Sequence, residues 1–216
     1  MSRKYEAAGV EAEFERGSRG RVLRNLLGIT RVRDMQAAES EALEIAQEAA
    51  IDRFDSHHRF TAEDIRALHR LWLGPIYRWA GEYRSVNISK GGFQFAHVPL
   101  IPGLMKELER GPLHSATPCH GFDDPALVRA LAEVHGELIL IHPFREGNGR
   151  LARLLSLLMA LQAGLPPLDF SPLADRGKRA YIGAIHSSLD RNYEPLAALF
   201  ARVIVRSRQR AASSGR

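Results

Sequence analysis

The stretch from Ile141 to Arg153 constrains this chain more than any other. It reads Ile-His-Pro-Phe-Arg-Glu-Gly-Asn-Gly-Arg-Leu-Ala-Arg. Leucines at helical spacing follow as far as Leu161, and Gly164 and Pro166 then end the pattern. The sequence therefore predicts a helix that begins at a short glycine loop, directly after a histidine.

A glycine loop that opens a helix favours anions. Gly147 and Gly149 can adopt positive φ, and the first N–H groups of a helix lack partners at the positive end of its dipole. Arg150 and Arg153 share the first turn, where cations are unfavourable unless an anion lies between them. The pattern predicts a polyphosphate site, with Glu146 as the candidate oxygen ligand for the Mg²⁺ that accompanies nucleotide phosphates.

His142 is the candidate general base at this site. An imidazole takes up and releases a proton near neutral pH, and a hydroxyl that attacks phosphorus must lose its proton as the new bond forms. The other histidines are expected to be structural, including His69 and His135, which fall on helical patterns. Phe144 is expected to be a core residue that fixes the loop.

The stretch resembles the motif of the Fic (filamentation induced by cAMP) family, His-Pro-Phe-x-Asp/Glu-Gly-Asn-Gly-Arg-x-x-Arg, at every specified position. Residues 77–84 and 86–93 resemble the family's pre-flap and flap segments. The likeness covers about Leu23 to Phe200 and weakens at both ends. It implies a protein adenylyltransferase, which transfers AMP from ATP to a Tyr, Thr or Ser hydroxyl of a target protein. ATP would be the substrate and Mg²⁺ the cofactor.

The resemblance also implies a role for each motif residue. His142 would be catalytic and Glu146 would hold Mg²⁺. The phosphates would be bound by consecutive residues of the loop and helix: Gly147, Asn148, Gly149, Arg150 and Arg153. The flap would hold the target segment by strand addition. Its candidate residues are Ile88, Lys90, Gly91, Gly92 and Phe93.

Two other functions remain open from the sequence. A non-catalytic module could use the same pocket to hold a nucleotide or a phosphopeptide, although a pure binder has no need of His142. The related Doc toxins transfer phosphate instead. They carry a lysine where this chain has Gly149, and glycine leaves room for the polyphosphate in the AMP-transferring orientation.

The remaining patterns are mostly helical. Helix starts are indicated at Asp34, at the Thr61 capping box and at Asp124, and the segment from Pro99 to Arg110 is predicted to be a helix. Residues 86–95 alternate around two glycines, which predicts a β-hairpin, although a surface hairpin without function has the same pattern. We expect a mainly α fold, a Fic-type helical bundle with one short β-hairpin as the flap. One domain would span residues 23–205, between a weakly ordered arm (1–22) and a basic tail (206–216).

The apolar runs, the cysteine count and the charge of the sequence limit the expected cell compartment and the expected partners. No apolar run reaches the length of a membrane span, the first residues lack the apolar stretch of a secretory signal, and Cys119 is the single cysteine. We therefore expect a cytoplasmic protein without a membrane partner. The net charge is +5, and only arginines carry charge after Pro195. That segment suits either a nucleic-acid tail or a solvated terminus, and the lack of aromatic residues beyond Phe200 favours the terminus.

Regulation is implied by the resemblance alone. Fic enzymes are commonly inhibited by a helix bearing Ser/Thr-x-x-x-Glu-Gly/Asn, whose glutamate pairs with the second motif arginine, here Arg153. The near match in this chain starts at Ser40 and fails at its last position, which is Ile45. A toxin-like chain restrained by a small antitoxin that supplies the glutamate is therefore the expectation. Inhibition in cis by Glu44 is the rival account.

Overall fold

The computed structural model describes residues 13–214, so residues 1–12 of the expected N-terminal arm lie outside it. The fold is mainly helical with one two-stranded antiparallel sheet, as the sequence predicts. The strands are β1 (Ser89–Lys90) and β2 (Phe93–Gln94). The helices are α1 (Val32–Arg53), α2 (Ala62–Leu73), α3 (Ile101–Leu108), α4 (His114–Ala116), α5 (Asp124–Ile141), α6 (Asn148–Gln162), α7 (Lys178–Ser187) and α8 (Glu194–Ser214). Among these described residues, no helix combines the length and apolarity needed to span a bilayer.

The core is built around α5 and α6. α5 packs against both α6 and α8, and α6 also contacts α1 and α2. The predicted apolar stripes are buried on both helices, from Leu127 to Leu138 on α5 and from Leu151 to Leu158 on α6. Since buried helices on both sides hold its ends, the loop between Ile141 and Asn148 has a rigid scaffold.

Local capping explains where the helices begin. The Thr61 side chain accepts a hydrogen bond from the Asp64 backbone N–H, and the Asp64 carboxylate accepts one from the Thr61 N–H, which is a capping box. The cap of α5 is Asp123, whose carboxylate accepts from Ala126 N at 2.9 Å. The prediction of Asp124 as the cap is therefore wrong by one residue, because two adjacent aspartates precede Pro125.

The segment predicted as one helix from Pro99 to Arg110 is composite. A 3₁₀ turn (Val98–Leu100) leads into α3, and a π turn (Glu109–Leu113) joins α3 to α4. Pro112 lies inside that π turn, where a regular α-helix would lose a backbone hydrogen bond to the missing N–H.

The predicted hairpin is present and very short. Ser89 pairs with Gln94 and Lys90 with Phe93, while Gly91 and Gly92 both have positive φ, as a tight two-residue turn requires. Phe95 N donates to Ile88 O at 3.2 Å and extends the pairing by one bond. Because such a hairpin is marginal on its own, its attachment to the helical body decides its position.

Both ends of the described chain contact this body. Phe14 and Leu23 form an isolated β-bridge, and Val22 is buried in the core. α8 continues to Ser214, through arginines that the sequence analysis assigned to a basic tail. Arg208 among them donates two hydrogen bonds to Asp124, at 2.6 and 2.7 Å, and so joins α8 to the start of α5.

Candidate active site

The loop between α5 and α6 has two left-handed residues that set its path. His142 closes α5 with φ 51° and ψ 58°, and Gly147 precedes α6 with φ 87°. A Cβ on Gly147 would lie 2.7 Å from a ring carbon of Trp72, so only glycine fits there. Asn148 braces the loop from within, because its amide donates to Phe144 O at 2.7 Å and accepts from Phe144 N at 2.9 Å.

His69 and Phe144 hold the loop against α2. Their rings stack at 3.9 Å, and Phe144 is fully buried. Gly81 N donates to Nδ1 of His69 at 2.8 Å, so the proton on Nε2 is donated to Glu146 O at 3.1 Å. Burial lowers the pKa of His69 to about 4, which keeps this connecting imidazole neutral.

His142 lies at the mouth of the loop beneath the flap. Its Nδ1 lies 3.1 Å from Ile139 O, and since a carbonyl only accepts, Nδ1 carries the proton and Nε2 is the basic nitrogen. The Phe95 ring stacks on the imidazole at 3.7 Å, and His142 is only 5% exposed. Burial is the main reason that the pKa of His142 is lowered to about 3. The imidazole is therefore neutral at physiological pH, with Nε2 unprotonated.

The two motif arginines differ in their surroundings. Arg150 donates to the buried carboxylate of Glu39 at 2.7 Å and lies over the Trp72 ring at 4.6 Å. Arg153 is half-buried, and no carboxylate of residues 13–214 forms an ion pair with it. Burial and the charge of Arg150 lower the pKa of Arg153, although the group stays cationic. A half-buried cation without a carboxylate favours an anionic ligand.

Glu39 is a site residue that the sequence analysis missed. Its carboxylate also accepts from the Tyr77 hydroxyl at 2.7 Å, and its backbone carbonyl accepts from the Trp72 indole N–H at 2.8 Å. Burial, together with the Glu39 charge, raises the pKa of Tyr77 above its ordinary value. The signal was available, because Glu39 lies one turn after Met35 on the buried stripe of α1.

Glu44 forms no ion pair with either motif arginine in the described part of the chain. Its side chain is exposed on α1, and none of the ion pairs within residues 13–214 includes it. The carboxylate of α1 that contacts the motif is Glu39, and it pairs with Arg150 rather than with Arg153.

Glu146 is the acidic residue of the loop, and its carboxylate is largely buried. It is 9% exposed, its Oε1 accepts from Gly147 N at 3.0 Å, and the same oxygen lies 3.7 Å from Arg150. The part of the chain that the structure describes has no cluster of three or more metal-binding side chains. A single carboxylate suits Mg²⁺, which takes one or two carboxylates and completes its shell with phosphates and water.

The flap residues lie between the loop and α7. Ile88 is buried beneath the hairpin, whereas Lys90, Gly91 and Gly92 are exposed at its tip. The half-buried Phe93 stacks on His186 of α7 at 4.9 Å. The charge of Lys90 contributes to lowering the pKa of His142, so the tip lies within electrostatic range of the imidazole.

Known proteins are similar in sequence to this chain across the flap and the loop between α5 and α6. A sequence profile of the Fic/DOC family matches residues 59–160, which include the flap and the whole loop. The protein adenylyltransferase VbhT of Bartonella schoenbuchensis is 31% identical over 143 residues, and the protein adenylyltransferase Fic of Nematostella vectensis is 34% identical over 132 residues. These matches cover 66% and 59% of this chain but only 30% and 28% of the two relatives.

Solved structures extend the likeness to most of the chain. The N-terminal Fic domain of a VirB-translocated effector of Bartonella sp. AR 15-3 superposes with a TM-score of 0.72 at 23% identity, covering 88% of this chain and 89% of that one. The Fic domain of a putative cell filamentation protein of Bartonella quintana, solved with bound ADP, gives 0.70 at 25% identity, covering 88% and 92%. The filled motif and the profile match lead to one conclusion, which is that residues 59–160 of this chain form a domain of the Fic/DOC family.

Proposed function

We propose that this chain transfers AMP from ATP to a hydroxyl side chain of a target protein. The observation that carries the proposal is the position of His142 directly before the anion-binding start of α6. A neutral, buried imidazole directly precedes a glycine loop and two arginines, of which Arg153 has no carboxylate partner within the described chain. The names of the relatives support the same reaction, because both are protein adenylyltransferases.

The chemical step that we infer is an in-line displacement at phosphorus. Nε2 of His142 accepts the proton of the target hydroxyl while that oxygen bonds to the α-phosphorus of ATP. The bond from the α-phosphorus to the bridging oxygen breaks, and pyrophosphate leaves. The hydrogen bond from Nδ1 to Ile139 O supports this role, since it fixes the ring and leaves Nε2 as the acceptor.

The phosphates are assigned to the start of α6. Backbone N–H groups of Asn148 and Gly149 suit the inner phosphates, and Arg150 and Arg153 suit the outer ones. The N–H of Gly147 donates to Glu146 Oε1 in this structure and would join the phosphate donors once that carboxylate turns to Mg²⁺. Glu146 would hold Mg²⁺, which neutralises phosphate charge when bound. By this assignment, Arg153 binds the γ-phosphate and has no carboxylate to give up within residues 13–214. Arg150 binds both the nucleotide and Glu39.

The flap is assigned to the target. Strand addition to an open hairpin edge would lay an extended target segment beside His142, with the exposed tip at Lys90, Gly91 and Gly92. Phe95 covers the imidazole and Phe93 reaches α7, so the arriving hydroxyl meets a site bordered by aromatic rings.

Restraint by a small antitoxin is the regulatory part of the proposal. A cavity of about 360 Å³ opens beside the two motif arginines, between α1 and the segment after Pro167. Its walls are mostly apolar, with Leu43, Leu154 and Phe170 among them, and Arg150 and Arg153 are its cations. An amphipathic helix carrying one glutamate matches both properties. The exposed position of Glu44 favours this account over inhibition in cis.

Intact-mass spectrometry tests the transfer. Candidate bacterial proteins are incubated with the chain, ATP and Mg²⁺, with a parallel arm in excess EDTA. The proposal expects a gain of one AMP that requires Mg²⁺ and is lost in His142→Ala but kept in the matched variant His120→Ala, whose histidine is exposed. A gain of one phosphate would indicate Doc-like transfer instead. No gain on any candidate, despite ATP binding, would favour the non-catalytic module.

A growth assay tests the toxin role separately. Expression of the chain alone should arrest bacterial growth, and His142→Ala should relieve the arrest at an equal protein level. Continued arrest by His142→Ala would assign the toxicity to something other than the transfer.

A further inference from the structure

We propose that Arg84 is a positioning residue which ties the flap to the backbone of His142, and so sets the distance between a bound target segment and the base. The proposal rests on the proposed function for its catalytic consequence, while the tie itself can be tested without any activity. Nothing in the sequence pattern singled out Arg84 beyond its place in the pre-flap segment.

The tie consists of hydrogen bonds to backbone carbonyls on two separate segments. Nε of Arg84 donates to His142 O at 2.8 Å, and Nη1 donates to Val86 O at 2.7 Å. Nη2 donates to Ala96 O and, at 3.5 Å, to Ile141 O. One guanidinium therefore joins both ends of the flap to the last residues of α5 and to the base.

The backbone of the same residue makes a second connection. Arg84 N donates to Pro143 O at 2.8 Å, so the main chain and the side chain of Arg84 contact three consecutive residues, from Ile141 to Pro143. Arg84 is 2% exposed, which removes these bonds from competition with water. His142 is held in a left-handed conformation that is unfavourable for a residue with a side chain, and fixed carbonyls on both sides stabilise it.

The hairpin needs such a tie because its own pairing is weak. The two strands contribute two residues each, and one further bond joins Phe95 N to Ile88 O. Val86 and Ala96, the carbonyls that Arg84 bridges, flank this short ladder. The guanidinium replaces the cross-strand bonds that a longer hairpin would have at its base, and it does so from the residue that also holds the catalytic loop.

Only an arginine can make this set of bonds. Its planar fork carries five N–H donors pointing in different directions, whereas a lysine has three donors on one nitrogen. Arg84→Lys keeps the charge and loses the span between the flap and His142. Arg66 offers a matched control, because its Nε also donates to a backbone carbonyl, Gly81 O at 2.9 Å, without reaching the flap or the loop.

Hydrogen-exchange mass spectrometry measures the tie in Arg84→Lys, Arg66→Lys and the unchanged chain. We expect exchange of residues 86–96 to rise about tenfold or more in Arg84→Lys only, with α5 and α6 unaffected. Equal flap exchange in all three proteins would overturn the proposal. If Arg84→Lys does not fold, NMR of the unchanged protein is the test. It must then detect the scalar coupling across the hydrogen bond, between Arg84 Nε and the carbonyl carbon of His142. Absence of that coupling also overturns the tie.

Steady-state kinetics measures the catalytic consequence. In Arg84→Lys we expect kcat for AMP transfer to fall about 10²-fold, since small misplacement of reacting groups has that effect, while KM for ATP stays unchanged. A purely structural role would lower the unfolding temperature and leave kcat per folded molecule intact, and that result would overturn positioning. If the unchanged chain transfers no AMP, the proposed function fails while the exchange experiment still decides the tie.

Discussion

Replacing Glu39 by glutamine probes the buried pair between α1 and the motif. Glutamine keeps the shape of the side chain, and its amide oxygen can still accept from the Tyr77 hydroxyl. Arg150 loses the carboxylate at 2.7 Å and keeps only the more distant Glu146 at 3.7 Å. With that oxygen on Tyr77, the amide NH₂ group faces the Arg150 guanidinium, so the substitution removes both the charge and the hydrogen-bond acceptor that Arg150 had.

The size of the effect follows from burial. Removing one partner of a fully buried ion pair costs about 3–5 kcal/mol, because the remaining charge is left uncompensated. The Arg150 side chain is 24% exposed and that of Glu39 is 7% exposed, so water and Glu146 recover part of this cost. We expect the free energy of unfolding to fall by about 2 kcal/mol in Glu39→Gln.

Urea denaturation measures this loss, and a double-mutant cycle with Arg150→Met isolates the pair. The expected coupling energy between Glu39 and Arg150 is about 1–2 kcal/mol. Glu41→Gln is the matched control, because Glu41 lies on the same helix with an exposed side chain and should change stability by less than about 0.5 kcal/mol. A coupling energy indistinguishable from zero would refute the pair as a stabilising contact. Equal losses in Glu39→Gln and Glu41→Gln would refute the argument from burial.

The other predictions concern the base, the second arginine, α1 and pH. His142→Ala should lower transfer by about 10²- to 10⁴-fold and leave the ATP affinity measured by calorimetry nearly unchanged, and a collapse of both would contradict a base role. Arg153→Ala should weaken ATP binding more than AMP binding, whereas equal losses would place Arg153 away from the outer phosphates. Glu44→Gly should leave self-modification unchanged, and a large rise in the isolated chain would restore inhibition in cis. The free energy of unfolding should fall by roughly 2 kcal/mol for each of His69 and His135 at pH 5. The reason is that a histidine of the unfolded chain protonates below about pH 6.5, whereas folding lowers the pKa of His135 to about 3 and that of His69 to about 4. An unfolding temperature that stays flat from pH 7 to pH 5 would contradict this.

The parts of the fold that were predictable are those with a local cause. The positive φ values at Gly91 and Gly92 and the capping box at Thr61 are set by residues within a few positions of each other. The boundary of α5 was harder, because two adjacent aspartates could each serve as the cap and only the backbone geometry selects Asp123.

The contacts that were missed have no local cause. Glu39 and Arg150 are separated by 111 positions, and only the packing of α1 beside α6 brings them together. A search for an inhibitory motif leads instead to Glu44, since the motif specifies residue types and not the buried side of a helix. Arg84 was missed for another reason. Its partners are backbone carbonyls, which every residue has, so no pattern of side chains records them.

The difference between the two motif arginines also bears on regulation. An incoming carboxylate at Arg150 must compete with Glu39, which is already held by a hydroxyl and shielded from water. At Arg153 an incoming carboxylate has no competing carboxylate within residues 13–214. Burial has removed part of the hydration of the Arg153 guanidinium, and a carboxylate would compensate for that loss. By the proposed regulation, a glutamate from a partner helix would therefore gain more at Arg153 than at Arg150. By the proposed assignment the γ-phosphate binds the same arginine. An inhibitory glutamate and the nucleotide would therefore compete for the motif cation that has no carboxylate partner within residues 13–214.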